Sequence, residues 1–452
     1  MPATWLGDDV ALAGRGAGAQ ENPMQQINRR RWLTLALSSP VAFAGCGGGT
    51  DTSKAHVRFI NASSYDALTL TVDDERLFSG IAWGDETSYR DVDPDDCRST
   101  ISRTGSATAL VSSFTPSLSE DDDYTLLAWG PVGALGWQLL HENTSEPKSD
   151  KTKVRVFNGA TDAGVLDVYV TAEDDELADS VAMQSSAAVG TLAEFVTIDA
   201  GTWRVRVTAA GSKTDVRLDV SGVVFPGGKV FTLALAAAAG GALVNGVLLR
   251  EHKTTLTRID ATQARVRVAG AAAGSATVTA TVEGRELVSA GSPVVSGYAL
   301  VAAGVPAVTA RIGSTDVSAA VPTATLAAGR DYTLLIYGSA ASPASAWLVD
   351  DNTLSTGSSK ARIRLVNAVA GLGSTLSLKS GSSQLASGVE VGAGSAYAEV
   401  SATASGSLTV TSPVVDGPVL ALTDLILEGG KVYTVLVGGT PAAPIGDLVE
   451  DH

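Results

Sequence analysis

The chain has 452 residues, with 32 Lys and Arg against 48 Asp and Glu and a formal net charge of −16. That acidity excludes a nucleic-acid-binding surface, which needs cations to displace counterions; a hydrophobic content of 45% excludes a disordered acidic chain. The length suits about three or four ordinary domains, and two Cys are too few for a disulfide-dense scaffold or a Cys-built metal site.

The first element is an export signal. Arg29-Arg30-Arg31 precedes an apolar run from Trp32 to Ala44, followed by Gly45-Cys46. A basic segment, a short apolar stretch and small residues at a cleavage point make a signal peptide over residues 1–45, and the stretch is too short for a permanent membrane helix. Residues 1–23 lie upstream of the signal, and Met24 would start one of normal length. Phe43-Ala44-Gly45-Cys46 resembles a bacterial lipobox, which implies lipidation of Cys46. The glycines after it read as a tether over residues 46–54. A lipid anchor holds a chain to a membrane without spanning it. The absence of Asp after the Cys implies, by the same resemblance, sorting to the outer membrane. Asn28 to Leu33 also resembles a twin-arginine export motif, and general secretion remains the alternative.

From residue 55 the chain repeats itself. Each copy opens on a short alternating strand with one Arg: Arg58, Arg155, Arg267 and Arg364, in strands starting at residues 57, 154, 266 and 363. An aromatic follows at Tyr89, Phe195, Tyr298 or Tyr397. An aromatic-Thr pair comes next: Tyr124-Thr125, Phe231-Thr232, Tyr332-Thr333 and Tyr433-Thr434. Two apolar residues and an acidic patch close each copy, with Glu142, Glu251, Asp351 and Asp451 as the acids. The copies are assigned to residues 55–146, 150–254, 262–354 and 360–452. The extra length of the second copy lies before Phe195, near Glu173-Asp174-Asp175-Glu176, and reads as a loop insertion.

Within a copy the hydrophobic period is two. Leu166-Asp167-Val168-Tyr169-Val170 and Trp203-Arg204-Val205-Arg206-Val207 alternate cleanly, so one face meets a core and the other water. Turn residues at Asp73-Asp74, Ala200-Gly201, Gly227-Gly228 and Glu283-Gly284 bound short strands. About seven strands per hundred residues indicate an all-β chain of four tandem immunoglobulin-like antiparallel β-sandwiches. Short polar linkers suggest a semi-rigid rod. Val230 to Leu249 carries no charge over twenty residues, but Gly240-Gly241 divides it into strand, turn and strand.

The copies resemble the bacterial family of domain of unknown function 4397. The resemblance rests on the Arg-alternating strand with Asn61-Ala62 and Asn367-Ala368, on Leu166–Val170, on Ala200–Val207 and on the aromatic-Thr strand. It is fullest in the second and fourth copies and covers nearly the whole chain after the tether. It implies architecture and export, and no chemistry.

The four His are His56, His141, His252 and His452, and too few fall in any one copy for a His-rich metal site or a nucleophile–His pair. The glycines fall at turns and make no phosphate loop, and there is no nucleophile elbow. Asp91, Asp93, Asp95 and Asp96 start like a calcium loop, but Asp96 and Ser102 stand where the EF-hand needs Gly and Glu. Asp121, Asp122 and Asp123 are the candidate calcium ligands at a junction, with a solvated turn as the alternative. Cys97 reads as a half-buried, unpaired thiol. The Arg residues are expected to point away from the core and to pair structurally: Arg58 with Glu142, Arg155 with Glu251, Arg267 with Asp351 and Arg364 with Asp451. Exposed pairs of this kind contribute about 0–1 kcal/mol. The expectation is a non-enzymatic, monomeric, lipid-anchored envelope protein without cofactors. It acts as a spacer or binding module, with the membrane and an envelope protein or glycan as partners and no nucleic acid. The alternative is a calcium-assisted adhesin with carboxylates at the domain junctions.

Overall fold

The computed structural model describes residues 53–355 and 357–452; the signal, Cys46 and most of the tether lie outside them. The described chain is strands and turns, with three one-turn 3-10 segments. It forms four sandwiches, each made of an inner and an outer sheet. In the first, the opening strand Ala55–Ser63 lies between Arg90–Val92 and Asp123–Gly130, and Gly136–His141 completes the inner sheet. The outer sheet runs in the order Glu75–Ala82, Ala67–Val72, Ser99–Arg103, Ala109–Phe114. The other sandwiches repeat this plan on opening strands Lys151–Asn158, Gln263–Ala272 and Lys360–Asn367.

One pairing in every inner sheet is parallel: the opening strand against the aromatic-Thr strand. Every other pairing between these strands is antiparallel, and the parallel contact ties the beginning of each copy to its end. The register is the same four times. Arg58 faces Thr125, Arg155 faces Thr232, Arg267 faces Thr333 and Arg364 faces Thr434. The second sandwich also extends past residue 254, because Leu256–Ile259 adds a fifth strand to its inner sheet.

Each sandwich has its own core between its two sheets. In the second, Val154, Val156, Leu233 and Leu235 meet Leu166, Val168, Val205 and Val207. The inner sheets are also apolar on their other face, and this decides the arrangement. Ile60, Leu127, Phe157, Val247 and Leu249 form one cluster shared by the first and second sandwiches. Ala269, Leu335, Leu348, Val366 and Leu436 form another, shared by the third and fourth. Strands buried on both faces read as continuous apolar runs, which accounts for the uncharged stretch from Val230 to Leu249. It is the hairpin Lys229–Ala237 and Val244–Arg250, and among the described residues no helix is long and apolar enough to cross a membrane. The sandwiches therefore stack in pairs rather than following one another along a rod on polar linkers.

The pairs also touch each other. Gly240 donates to Gly329 O at 2.9 Å and accepts from Asn352 N at 3.1 Å. Gly241 has φ +90°, and a Cβ there would lie 2.5 Å from Thr353 N, so the turn seats against the third sandwich only without a side chain.

Candidate functional site

The repeated landmarks converge in space. In the first sandwich Arg58 Nε donates to Thr125 Oγ1 at 2.6 Å, and Thr125 donates to Glu142. Tyr89 donates its hydroxyl to Glu142 at 2.6 Å, and the Arg58 guanidinium lies 5.3 Å from the Tyr89 ring centroid. The parallel register sets this up, since it brings Arg and Thr abreast, and the closing strand places the acid two residues beyond the partner of that Thr. The same cluster recurs around Arg267, Thr333, Tyr298 and Asp350, and around Arg364, Thr434, Tyr397 and Asp451.

The Arg side chains do point out of their own sandwich cores, but they enter the stacked interfaces instead of water. Arg58 is 1% exposed, and Arg267 and Arg364 are buried as deeply. Arg58 pairs with Glu142 at 3.0 Å and donates to Arg250 O and Lys253 O of the second sandwich. Between the third and fourth sandwiches the carboxylates are exchanged. Arg267 meets Asp451 at 2.7 Å, and Arg364 meets Asp350 at 2.6 Å. Arg364 therefore pairs with the neighbour's Asp350 and not with Asp451.

Asp351 is displaced from the position the sequence suggested. Thr333 faces Leu348, so the residue equivalent to Glu142 is Asp350, and a shift of one residue turns Asp351 to the opposite face. There it pairs with Arg362 at 2.7 Å. These burials also change the energetics. Removing one partner of a buried pair costs about 3–5 kcal/mol, far above the range for exposed pairs.

Burial alone would raise the Asp350 carboxyl, but Arg364 and Arg267 outweigh it and hold it below the usual carboxylate range. The second sandwich departs from this pattern. Phe195 lacks the hydroxyl, and although its ring lies 4.4 Å from the Arg155 guanidinium, Arg155 and Glu251 remain 3.9 Å apart. Arg155 Nη2 and Glu251 Oε1 have no hydrogen-bond partner. Burial raises the Glu251 carboxyl and lowers Arg155.

The junction acids meet imidazoles. Asp123 bridges His56 at 3.0 Å and His252 at 2.7 Å, while Asp122 binds His141 at 2.9 Å. Asp121 holds a turn at φ +61°. Calcium takes six to eight oxygens, and among the described residues no group of three His, Cys, Asp or Glu side chains is placed to hold a metal ion. Cys97 is fully buried in the first core rather than half-buried. Its sulfur lies within hydrogen-bonding reach of Pro94 O at 3.3 Å and Pro116 O at 3.2 Å, and burial pushes its pKa up.

His452 is half-buried, wedged between Arg217 and the Asp162 carbonyl of the second sandwich. Sequence reasoning missed Arg217, Asp215, Arg265 and Asp331. The one available signal was the Arg265-Val266-Arg267 alternation, repeated at Arg362-Ile363-Arg364.

The family model for a domain of unknown function, DUF4397, matches residues 55–169 and 264–375, half of the chain. The chain belongs to the DUF4397 family. Each DUF4397 match begins on the opening strand of a stacked pair and runs through the opening strand of the next sandwich. It starts in the first and third copies rather than in the second and fourth. A search of curated proteins gives no match.

Among solved structures, a candidate cell adhesion protein from Bacteroides uniformis is 13% identical and aligns over 46% of this DUF4397 chain and 100% of its own, with a TM-score of 0.20. The Bacillus anthracis TIE protein is 9% identical over 87% of this chain and 74% of its own, with a TM-score of 0.14. A family 26 carbohydrate-binding module from Eubacterium rectale, solved with maltoheptaose, is 11% identical over 45% and 99%, with a TM-score of 0.15. At these identities the likeness concerns the fold alone.

Proposed function

We propose that this DUF4397 protein is an exported, non-enzymatic binding module or spacer, lipidated at Cys46 and held at the outer membrane. The observation that carries the reading is the fate of the charges that the four copies share. Arg58, Arg267 and Arg364 and their acids are bound to Thr, Tyr and one another across stacked sheets. These groups serve assembly and leave no acid or base poised for catalysis among them. The order of basic segment, apolar run and Cys46 in the sequence supports export and anchoring.

The test has two arms. Metabolic labelling with palmitate and membrane fractionation should show labelled, membrane-bound protein, with Cys46→Ala unlabelled and released. Pull-down with the soluble chain from Thr50 onward should retain an envelope component. Unlabelled wild-type protein in the soluble fraction would remove the anchor, and a clean pull-down would reduce the role to that of a spacer.

A further inference from the structure

We propose that the cleft between the second, third and fourth sandwiches binds an anionic, polyhydroxylated ligand, its oxyanion held by Arg217 on the buried wall and Arg285 on the exposed wall. The cleft has a volume of about 800 Å³, within the range of small-molecule sites. That is more room than a simple ion needs.

The case rests on unmatched donors. Arg217 is buried, and its one carboxylate, Asp215 at 2.5 Å, is shared with Arg265 at 2.9 Å. Its other neighbours are Ala242 O at 3.3 Å and the His452 imidazole at 3.4 Å, and its Nε has no acceptor at all. A guanidinium that shares its one carboxylate keeps part of its charge uncompensated, and an oxyanion in the cleft would balance it. Arg285 makes no side-chain hydrogen bond or ion pair among the described residues and shares the same cleft.

The acids of the lining are otherwise engaged. Asp451 pairs with Arg267 at 2.7 Å and Glu450 with Lys431 at 2.7 Å, while Arg265 also holds Asp331 at 2.6 Å. Glu286, exposed beside Arg285, is the acid left over. Two titrating groups in the cleft are shifted by burial first and by a neighbouring guanidinium second. Burial, then Arg217, pushes His452 down to about 3. Burial, then Arg265, lowers Arg217 to about 10 despite Asp215.

A second cleft shares Arg285 and Thr214, but residues 173–176 line it with four acids, so the anion belongs in the first. The ligand fits better as a hydroxylated molecule than as a flat ring. Tyr298, the aromatic in the wall, is covered by Arg265 and Arg267, whose guanidinium groups lie 4.5 and 4.8 Å from its ring centroid. Small residues such as Gly164, Ala210 and Gly297 line the rest.

The proposal deepens the binding-module reading and rests on it. Calorimetric titration of the purified protein with trigalacturonate, inorganic phosphate and neutral galactotriose tests it. Trigalacturonate or phosphate should bind, weaken with added salt, and lose at least about tenfold in affinity in Arg285→Ala and in Arg217→Gln. Preference between the two anions assigns a carboxylated or a phosphorylated sugar. Arg285 is exposed, so Arg285→Ala decides alone if Arg217→Gln does not fold. No anion binding, equal binding of galactotriose, or anion binding unchanged in Arg285→Ala overturns the proposal. If the anions fail while the envelope pull-down still retains a component, this cleft falls and the binding-module reading stands.

Discussion

Arg364 and Asp350 belong to different sandwiches, yet they form a 2.6 Å ion pair with both side chains sealed from water. The pair joins the two halves of one stack, and Arg267 with Asp451 joins them again in the opposite sense. Asp350→Asn should leave Arg364 buried without its charge partner and cost about 3–5 kcal/mol, read from chemical denaturation. Because the Asp350 carboxyl is held below its unfolded range, its contribution is present above about pH 4 and is lost as pH falls through the folded value. A cost below about 1 kcal/mol would mean that the stack does not depend on this exchange.

The second sandwich should respond in the opposite way. Glu251 is raised above its unfolded value, so at neutral pH its charge opposes folding rather than supporting it. Glu251→Gln is therefore expected to leave stability unchanged or raise it, whereas Glu142→Gln, which disturbs a completed cluster, should lower it by about 2 kcal/mol or more. Equal losses in both variants would contradict the contrast between the two sites.

Phe195→Tyr restores the hydroxyl that the other three copies use. The new group should donate to Glu251, as Tyr89 does to Glu142, and add about 0.5–1.5 kcal/mol. A rise in unfolding midpoint, together with a fall in the Glu251 pKa followed by carboxyl NMR, would register it. A loss of stability would show that the second cluster has no room for the oxygen.

His452 makes acid stability readable at one position. It stays neutral in the folded chain down to about pH 3, because burial and Arg217 disfavour the imidazolium. The unfolded chain takes up that proton near pH 6.5. Stability should therefore decline as pH falls from about 6.5 towards 3, and His452→Gln should flatten that part of the profile. An unaltered slope in the variant would assign the decline to other groups.

Gly241→Ala tests the contact between the pairs. The added Cβ meets Thr353 N at 2.5 Å on a backbone with φ +90°, and strain of this kind costs about 1–3 kcal/mol. The expected readout is faster proteolysis at residues 260–262, between the last strand of the second sandwich and the opening strand of the third, while the stacked cores stay protected.

How much of this was legible beforehand depends on the kind of interaction. Alternation of period two, turn residues and four ordered landmarks were enough for four all-strand units, because strand geometry and repeat spacing are local properties of the chain. The Thr and Tyr of the cluster were visible as landmarks, but their partnership with Arg was not, since it depends on a parallel register between strands about 66–70 residues apart. Asp350 and Asp351 are indistinguishable in the sequence, because a one-residue register choice has no signature in a closing patch that is acidic at both positions.

The sequence by itself determined the sandwiches and their number, through short-range patterning that each copy carries complete. Only the tertiary structure decided that the inner sheets stack in pairs, that Arg267 and Arg364 exchange carboxylates between sandwiches, and that Arg217 is left with half a partner. Those outcomes depend on which apolar faces meet. Faces that are equally hydrophobic on four similar units carry no label saying which neighbour each will cover.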